Sequence, residues 1–113
     1  MESIILTSVI LAHLITPPPE VPRDPMPDIL HKLAVCESSL QNNAINVMDG
    51  DASSFGRYQF KIKTFVWAGR KYGLEHSDIW SVKQQEAITR ALIQDGYWKY
   101  WYHCGKIIGL NKL

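Results

Sequence analysis

This sequence of 113 residues has little excess charge of either sign, since its formal net charge is only +1. So small an imbalance provides no basic face for a polyanion, and we expect no nucleic-acid partner. The length allows one small domain, which we expect to be monomeric. A hydrophobic content of 46% with 20% charged residues is that of a globular chain rather than a disordered one.

Cysteine is also scarce, because Cys36 and Cys104 are the only two in the chain. Their spacing fits no zinc pattern, and His31, His76 and His103 show no ligand spacing, so we expect no metal and no cofactor. The residues alone leave two states open. The pair forms a disulfide if the chain is secreted, or two buried thiols if it is cytosolic.

Proline is absent after Pro27, because all six prolines lie within residues 17–27. Polyproline geometry makes a semi-rigid spacer. We therefore interpret residues 17–27 as a linker and residues 28–113 as the functional domain.

Long apolar runs are absent apart from residues 3–15. This run is too short for a secure membrane span and has the length of a signal-peptide core. We interpret residues 1–16 as an export segment or a membrane tether, and expect the protein in the cell envelope or outside the cell. A buried or amphipathic N-terminal helix is the alternative.

Within the domain, apolar periodicity and helix-capping residues predict three main helices. They are expected over about 28–38, 65–71 and 82–95. Thr64 is expected to cap the second helix, and Ser81 opens the third with a capping box. A short aromatic helical segment follows near the C-terminus.

Between the first two helices the chain is polar and rich in turn-forming residues. Asp49-Gly50 is a hairpin signal, and Gly56 is expected to permit either a close backbone approach or a positive φ beside a cleft. The predicted fold is therefore mainly α, with at most one short β-hairpin.

Glu37 is the residue whose position most suggests chemistry. Ile29, Leu33, Cys36 and Leu40 form an apolar helical stripe, and Glu37 lies on its edge, four residues after Leu33. Burial of a carboxylate there would raise its pKa toward neutral, which suits a general acid. The alternative is a surface glutamate at a helix C-terminus.

Several motifs in order resemble the lysozyme-like superfamily, namely its lytic transglycosylases, c-type lysozymes and, over residues 33–105, resuscitation-promoting-factor domains. The motifs are Cys36-Glu37-Ser38-Ser39-Leu40, Ala44, Asn46, Asp49-Gly50, Phe55-Gly56 with Gln59-Phe60, Thr64-Phe65, Gln84-Gln85 and Trp101-x-x-Cys104-Gly105.

The resemblance implies an enzyme that cleaves the β-1,4 bond between N-acetylmuramic acid and N-acetylglucosamine in peptidoglycan glycan strands. It assigns the acid/base role to Glu37 and a place in the substrate cleft to Gln59. Ser38 and Asn46 are further substrate-binding candidates, together with Tyr58, which replaces an apolar residue of the family pattern. It also implies that the two cysteines are paired.

A second carboxylate is missing where c-type lysozymes carry an aspartate, because Ser54 stands there. A serine cannot stabilise an oxocarbenium ion by charge, so the resemblance favours lytic transglycosylases, which use one glutamate. Two alternatives stay open. One is a hydrolytic muramidase that takes its second carboxylate from Asp49 or Asp51, and the other is a non-catalytic peptidoglycan-binding or structural module.

Overall fold

The structure is a computed structural model that describes residues 17–19 and 21–113. It is mainly helical with one two-stranded antiparallel hairpin, which confirms the predicted fold class. Residues 1–16, which we interpret as an export segment or a membrane tether, lie outside the described residues. No helix within the described ranges is long and apolar enough to cross a membrane.

The described elements follow one another with short connections. In chain order they are α1 (Met26–Ser38), β1 (Ile45–Asp49), β2 (Ala52–Phe55), α2 (Ile62–Lys71), α3 (Val82–Gln94), a 3₁₀ turn (Trp98–Trp101), α4 (Tyr102–Ile107) and a final 3₁₀ turn (Leu110–Lys112).

Helix α1 begins at Met26, slightly before the predicted start, where the Met26 backbone N–H donates to the Asp24 carboxylate at 3.0 Å. It buries Leu30 and Leu33 and ends abruptly after Ser38. The next two residues have left-handed backbones, with φ of 53° and 64°. This reversal satisfies the last carbonyls of the helix and leaves Glu37 in its final turn.

The hairpin turns at Gly50 and Asp51, directly after the predicted Asp-Gly signal. Asn46 pairs with Ser54 whereas Asp49 pairs with Ala52, so β1 carries one extra residue between these two pairs. Such a bulge bends its strand. The bend lies near the turn at Gly50 and Asp51.

Helix α2 begins at Ile62, with Lys61 at its N-cap and no side-chain cap. The expectation that Thr64 caps this helix is wrong, because Thr64 lies inside its first turn. Phe60 forms a β-bridge with Phe55 and Lys61 is still extended, so the helix begins only at Ile62.

Helix α3 has the predicted Ser81 cap, whose hydroxyl accepts a hydrogen bond from the Gln84 backbone N–H at 3.2 Å. The reciprocal half of the capping box is absent, since the Gln84 side chain accepts from the Asp78 backbone N–H instead. The inner face of α3 buries Ile88 and Leu92 against α1 and α2.

The C-terminal segment is pinned to α1 by a disulfide between Cys36 and Cys104, with a Cα–Cα distance of 5.8 Å. The pairing implied by the resemblance is therefore confirmed. It closes a loop across a sequence separation of 68 residues and places α4 beside the end of α1. Trp101, just before α4, is buried in the core against Phe60.

Candidate active site

A groove of about 530 Å³ lies where the end of α1, the hairpin, the loop after it and α4 meet. Its lining combines the disulfide with polar and aromatic side chains. The lining residues are Cys36, Glu37, Asn46, Ser54, Gln59, Phe60, Lys61, Thr64, Tyr100, Trp101, Tyr102, His103 and Cys104. The groove therefore contains five of the expected residues, namely Glu37, Asn46, Gln59 and the two cysteines.

Glu37 is half-buried in the last turn of α1, beside the disulfide-bonded Cys36. Its neighbour Ser38 fixes this turn, because the Ser38 hydroxyl lies 2.7 Å from the Arg57 carbonyl and 3.2 Å from that of Ala34. Ser38 thus holds the backbone of the opposite loop rather than lining the groove. Its contribution to the site is to position Glu37.

The loop Phe55–Phe60 forms the opposite wall and is held from beneath by Gln85. The Gln85 Nε2 donates to the Phe55 carbonyl at 3.0 Å, and its Oε1 accepts from the Tyr58 backbone N–H at 2.8 Å. Gly56 has φ of +80°, as expected, and a Cβ there would lie 2.1 Å from the Gln85 Nε2. The loop therefore requires glycine both for its backbone and for its contact with Gln85.

Gln85 is a structural residue of the site, and the sequence analysis, which included Gln84-Gln85 among the family motifs, gave it no role. It is 1% exposed, although a glutamine is costly to bury without partners. A signal was present, because Gln85 shares the buried stripe of α3 with Ile88 and Leu92. A polar residue on such a stripe indicates a buried hydrogen-bonding role.

Gln59 lines the groove with a left-handed backbone of φ 55°. Its Nε2 donates to the Gly56 carbonyl at 2.9 Å and lies 3.4 Å from that of Ala44. The amide nitrogen is thus occupied by backbone. A ligand contact from this side chain would therefore use its Oε1, which can only accept.

The expectation that Tyr58 contacts substrate is corrected by the structure. Its side chain is 2% exposed and lies in the core, and burial, together with the charge of Glu86, raises its pKa. The positive φ of the following Gln59 turns the chain, so Tyr58 faces inward while Gln59 faces the groove. The Tyr58 carbonyl also accepts a hydrogen bond from the Trp101 indole at 2.8 Å.

Glu37 is the only acidic side chain among the described residues that line the groove. Asp51 lies outside it, with a side chain 90% exposed and 2.6 Å from the Lys61 Nζ. That hydrogen bond lowers the pKa of Asp51. The Asp49 side chain lies outside the described part of the structure, so its role stays a prediction.

Ser54 occupies the groove where a second carboxylate would be expected from the c-type pattern, and it is buried. The basic side chains that line the groove are Lys61 and His103. Within the described residues, no group of three His, Cys, Asp or Glu side chains is placed to hold a metal ion.

Aromatic side chains form the rim at the α4 end of the groove. Tyr100 is 50% exposed and Tyr102 is 57% exposed, whereas Trp101 between them is buried. The exposed rings offer flat apolar faces with polar edges. Sequence reasoning recognised the aromatic density of this segment without separating rim from core.

Comparisons of the chain with protein-family models, with curated proteins and with solved structures find no match. The functional argument therefore rests on the residues of the site and on their geometry.

Proposed function

We propose that the protein is a peptidoglycan lytic transglycosylase that cleaves the bond between N-acetylmuramic acid and N-acetylglucosamine with Glu37 as its one catalytic group. The observation that carries this proposal is the position of Glu37. It is half-buried in an open groove, with no second acidic side chain among the described lining residues. Ser54 in the same groove carries no charge with which to stabilise an oxocarbenium ion.

In this mechanism, protonated Glu37 donates its proton to the glycosidic oxygen as the C1–O bond breaks. The resulting carboxylate then removes the proton from the C6 hydroxyl of the muramic residue, whose oxygen attacks C1. The products are a free hydroxyl on N-acetylglucosamine and a 1,6-anhydro sugar. Glu37 is regenerated in its acid form, and no water is consumed.

The disulfide supports a site of action outside the reducing cytosol. Disulfides persist in oxidising compartments, where peptidoglycan is also accessible. The Cys36–Cys104 bond lies in the groove wall itself, so an oxidising environment also maintains the shape of the site.

The test is digestion of purified peptidoglycan by the wild-type protein and by Glu37→Gln, with mass analysis of the soluble products. We expect anhydro-muropeptides from the wild type and a rate at least about 100-fold lower from the variant, because a general acid/base contributes that much. Equal far-ultraviolet circular dichroism of both proteins is the control for folding.

Two results would replace the proposal. Products with reducing ends would indicate a hydrolytic muramidase and direct attention to Asp49. Binding of peptidoglycan by both proteins with no cleavage by either would indicate a non-catalytic wall-binding module.

A further inference from the structure

Beyond the groove, three exposed aromatic rings from two helical segments lie against one another. Trp67 of α2 contacts Tyr97 at 5.4 Å and Tyr100 at 5.8 Å between ring centroids, and the two tyrosines are 6.2 Å apart. Their exposures are 39%, 36% and 50%. We name these three residues the aromatic shelf.

The shelf is continuous with the groove through Tyr100. This residue lines the groove and also a second depression of about 270 Å³, which is lined by Gly96, Tyr97, Lys99 and Tyr100. Tyr100 therefore belongs to both surfaces, and a chain molecule that extends from the groove past Tyr100 meets the shelf.

The shelf also carries positive charge at its edge. The Lys71 Nζ lies 5.6 Å from the centre of the Tyr97 ring and 3.6 Å from the Asp95 carboxylate. Lys99 lines the depression beside the two tyrosines. Cations next to flat rings suit a ligand that combines sugar faces with carboxylates, as glycan strands do where the lactyl groups of muramic acid carry no peptide.

The ring geometry favours stacking over insertion. The Tyr97 and Tyr100 planes are 32° apart, Trp67 meets Tyr97 edge to face at 78°, and all three rings present part of their surface to solvent. A pyranose ring presents an apolar face of C–H groups with hydroxyls at its edge. Such a face matches an exposed aromatic surface with polar rims.

We propose that the aromatic shelf is a glycan subsite that binds a sugar of the same strand beyond those at Glu37. This assignment rests on the proposed function for the identity of the ligand. It gives the protein a preference for long strands over short fragments, because only a strand long enough to fill the groove and pass Tyr100 gains the shelf contact.

The test measures binding rather than cleavage. Glycan strands stripped of their peptides with an amidase are fractionated by length and titrated calorimetrically into the full chain carrying Glu37→Gln, which prevents turnover. The same titration is made with Trp67→Ala added. We expect about fivefold weaker binding of long strands, and a correspondingly smaller ratio of long-strand to short-strand affinity.

Trp80→Ala is the matched control. Trp80 is 42% exposed and packs edge-on against Phe55, away from the shelf. Its removal should leave the length preference unchanged. Trp67→Phe keeps a ring and should restore most of the preference, while Tyr97→Ala provides a second shelf variant if circular dichroism finds Trp67→Ala unfolded.

The outcomes separate the shelf from the proposed function. An unchanged length preference in both folded shelf variants would overturn the shelf, even if the wild type cleaves peptidoglycan. A loss of the preference would support the shelf even if the wild type cleaves nothing, in which case only the enzyme proposal fails. Two further results would overturn the shelf as a glycan subsite. One is the absence of all glycan binding, and the other is a wild-type dimer that Trp67→Ala dissociates in sedimentation analysis.

Discussion

The wall of the groove and the tip of the hairpin are held in opposite ways. The wall consists of the end of α1, the loop Phe55–Phe60 and α4, and it is fixed by a disulfide, the Ser38 hydroxyl and two buried side chains, Gln85 and Trp101. In the tip, residues 47–53, Val47 and Met48 are exposed, and Asp51 forms an ion pair with Lys61 at the N-cap of α2.

The difference matters because Glu37 and Gln59 lie on the wall. Buried hydrogen bonds act in a low-dielectric setting and resist distortion, whereas an exposed ion pair is screened by solvent. We infer that the wall fixes Glu37, the proposed catalytic group, more firmly than the exposed ion pair fixes the tip. The same kind of substitution, made once in the wall and once in the tip, tests this difference in how firmly the two regions are held.

The largest effect is expected from loss of the disulfide. Replacement of Cys36 and Cys104 by alanine should lower the free energy of unfolding by about 4 kcal/mol, because the bond closes a long loop in the unfolded chain. Denaturant titration of the variant, and of the wild type with and without reductant, measures this. Equal stability of the reduced and oxidised wild type would contradict the role given to the bond.

The next effect is expected at glycine. Gly56→Ala should cost about 3 kcal/mol, because it combines a strained positive φ with displacement of the buried Gln85 amide. Gly50→Ala at the tip introduces the same kind of backbone strain, since Gly50 has φ of +75°. The added Cβ would lie near only the Lys61 Nζ, at 3.3 Å. We expect it to cost about 1 kcal/mol. Similar losses in both variants would remove the contrast.

A serine pair sharpens the comparison further. Ser38→Ala removes the hydroxyl that joins α1 to the Arg57 carbonyl and should cost about 1 kcal/mol. Ser53→Ala removes an exposed hydroxyl that accepts from the Met48 backbone N–H at 3.1 Å. Ser53→Ala should lower the thermal stability of the protein less than Ser38→Ala does. A larger loss at Ser53 would place the more important contact on the tip.

The smallest effect is expected from Asp51→Asn. The Lys61 hydrogen bond lowers the folded-state pKa of Asp51. The stabilisation is therefore present above the unfolded pKa of about 3.9 and is lost as the pH falls through the folded value. Wild type and variant should differ slightly at neutral pH and low salt, and converge in acid. A gap that widens in acid would contradict this sign.

Sequence reasoning predicted the architecture well because its signals were local. The helical stripe around Leu33, the Ser81 cap, the hairpin turn and the positive φ of Gly56 all depend on neighbouring residues. The disulfide came instead from the resemblance of motifs, since no local rule pairs two cysteines so far apart.

The errors concern contacts between distant segments. The resemblance placed Tyr58 with the substrate-binding residues, but the left-handed backbone of Gln59 turns the chain there and Tyr58 is buried. Asp51 lies at the exposed tip of the hairpin, outside the groove, and forms an ion pair with Lys61. Gln85 gains its role only when α3 packs beneath the loop after the hairpin.

The most direct test of the central claim is to digest peptidoglycan in water enriched in oxygen-18 and to analyse the released fragments by mass. Attack by the muramic C6 hydroxyl uses no water, so the account predicts anhydro products that carry no label, formed by the wild type and not by Glu37→Gln. A labelled oxygen at the cleaved anomeric carbon would contradict it, because water would then be the nucleophile.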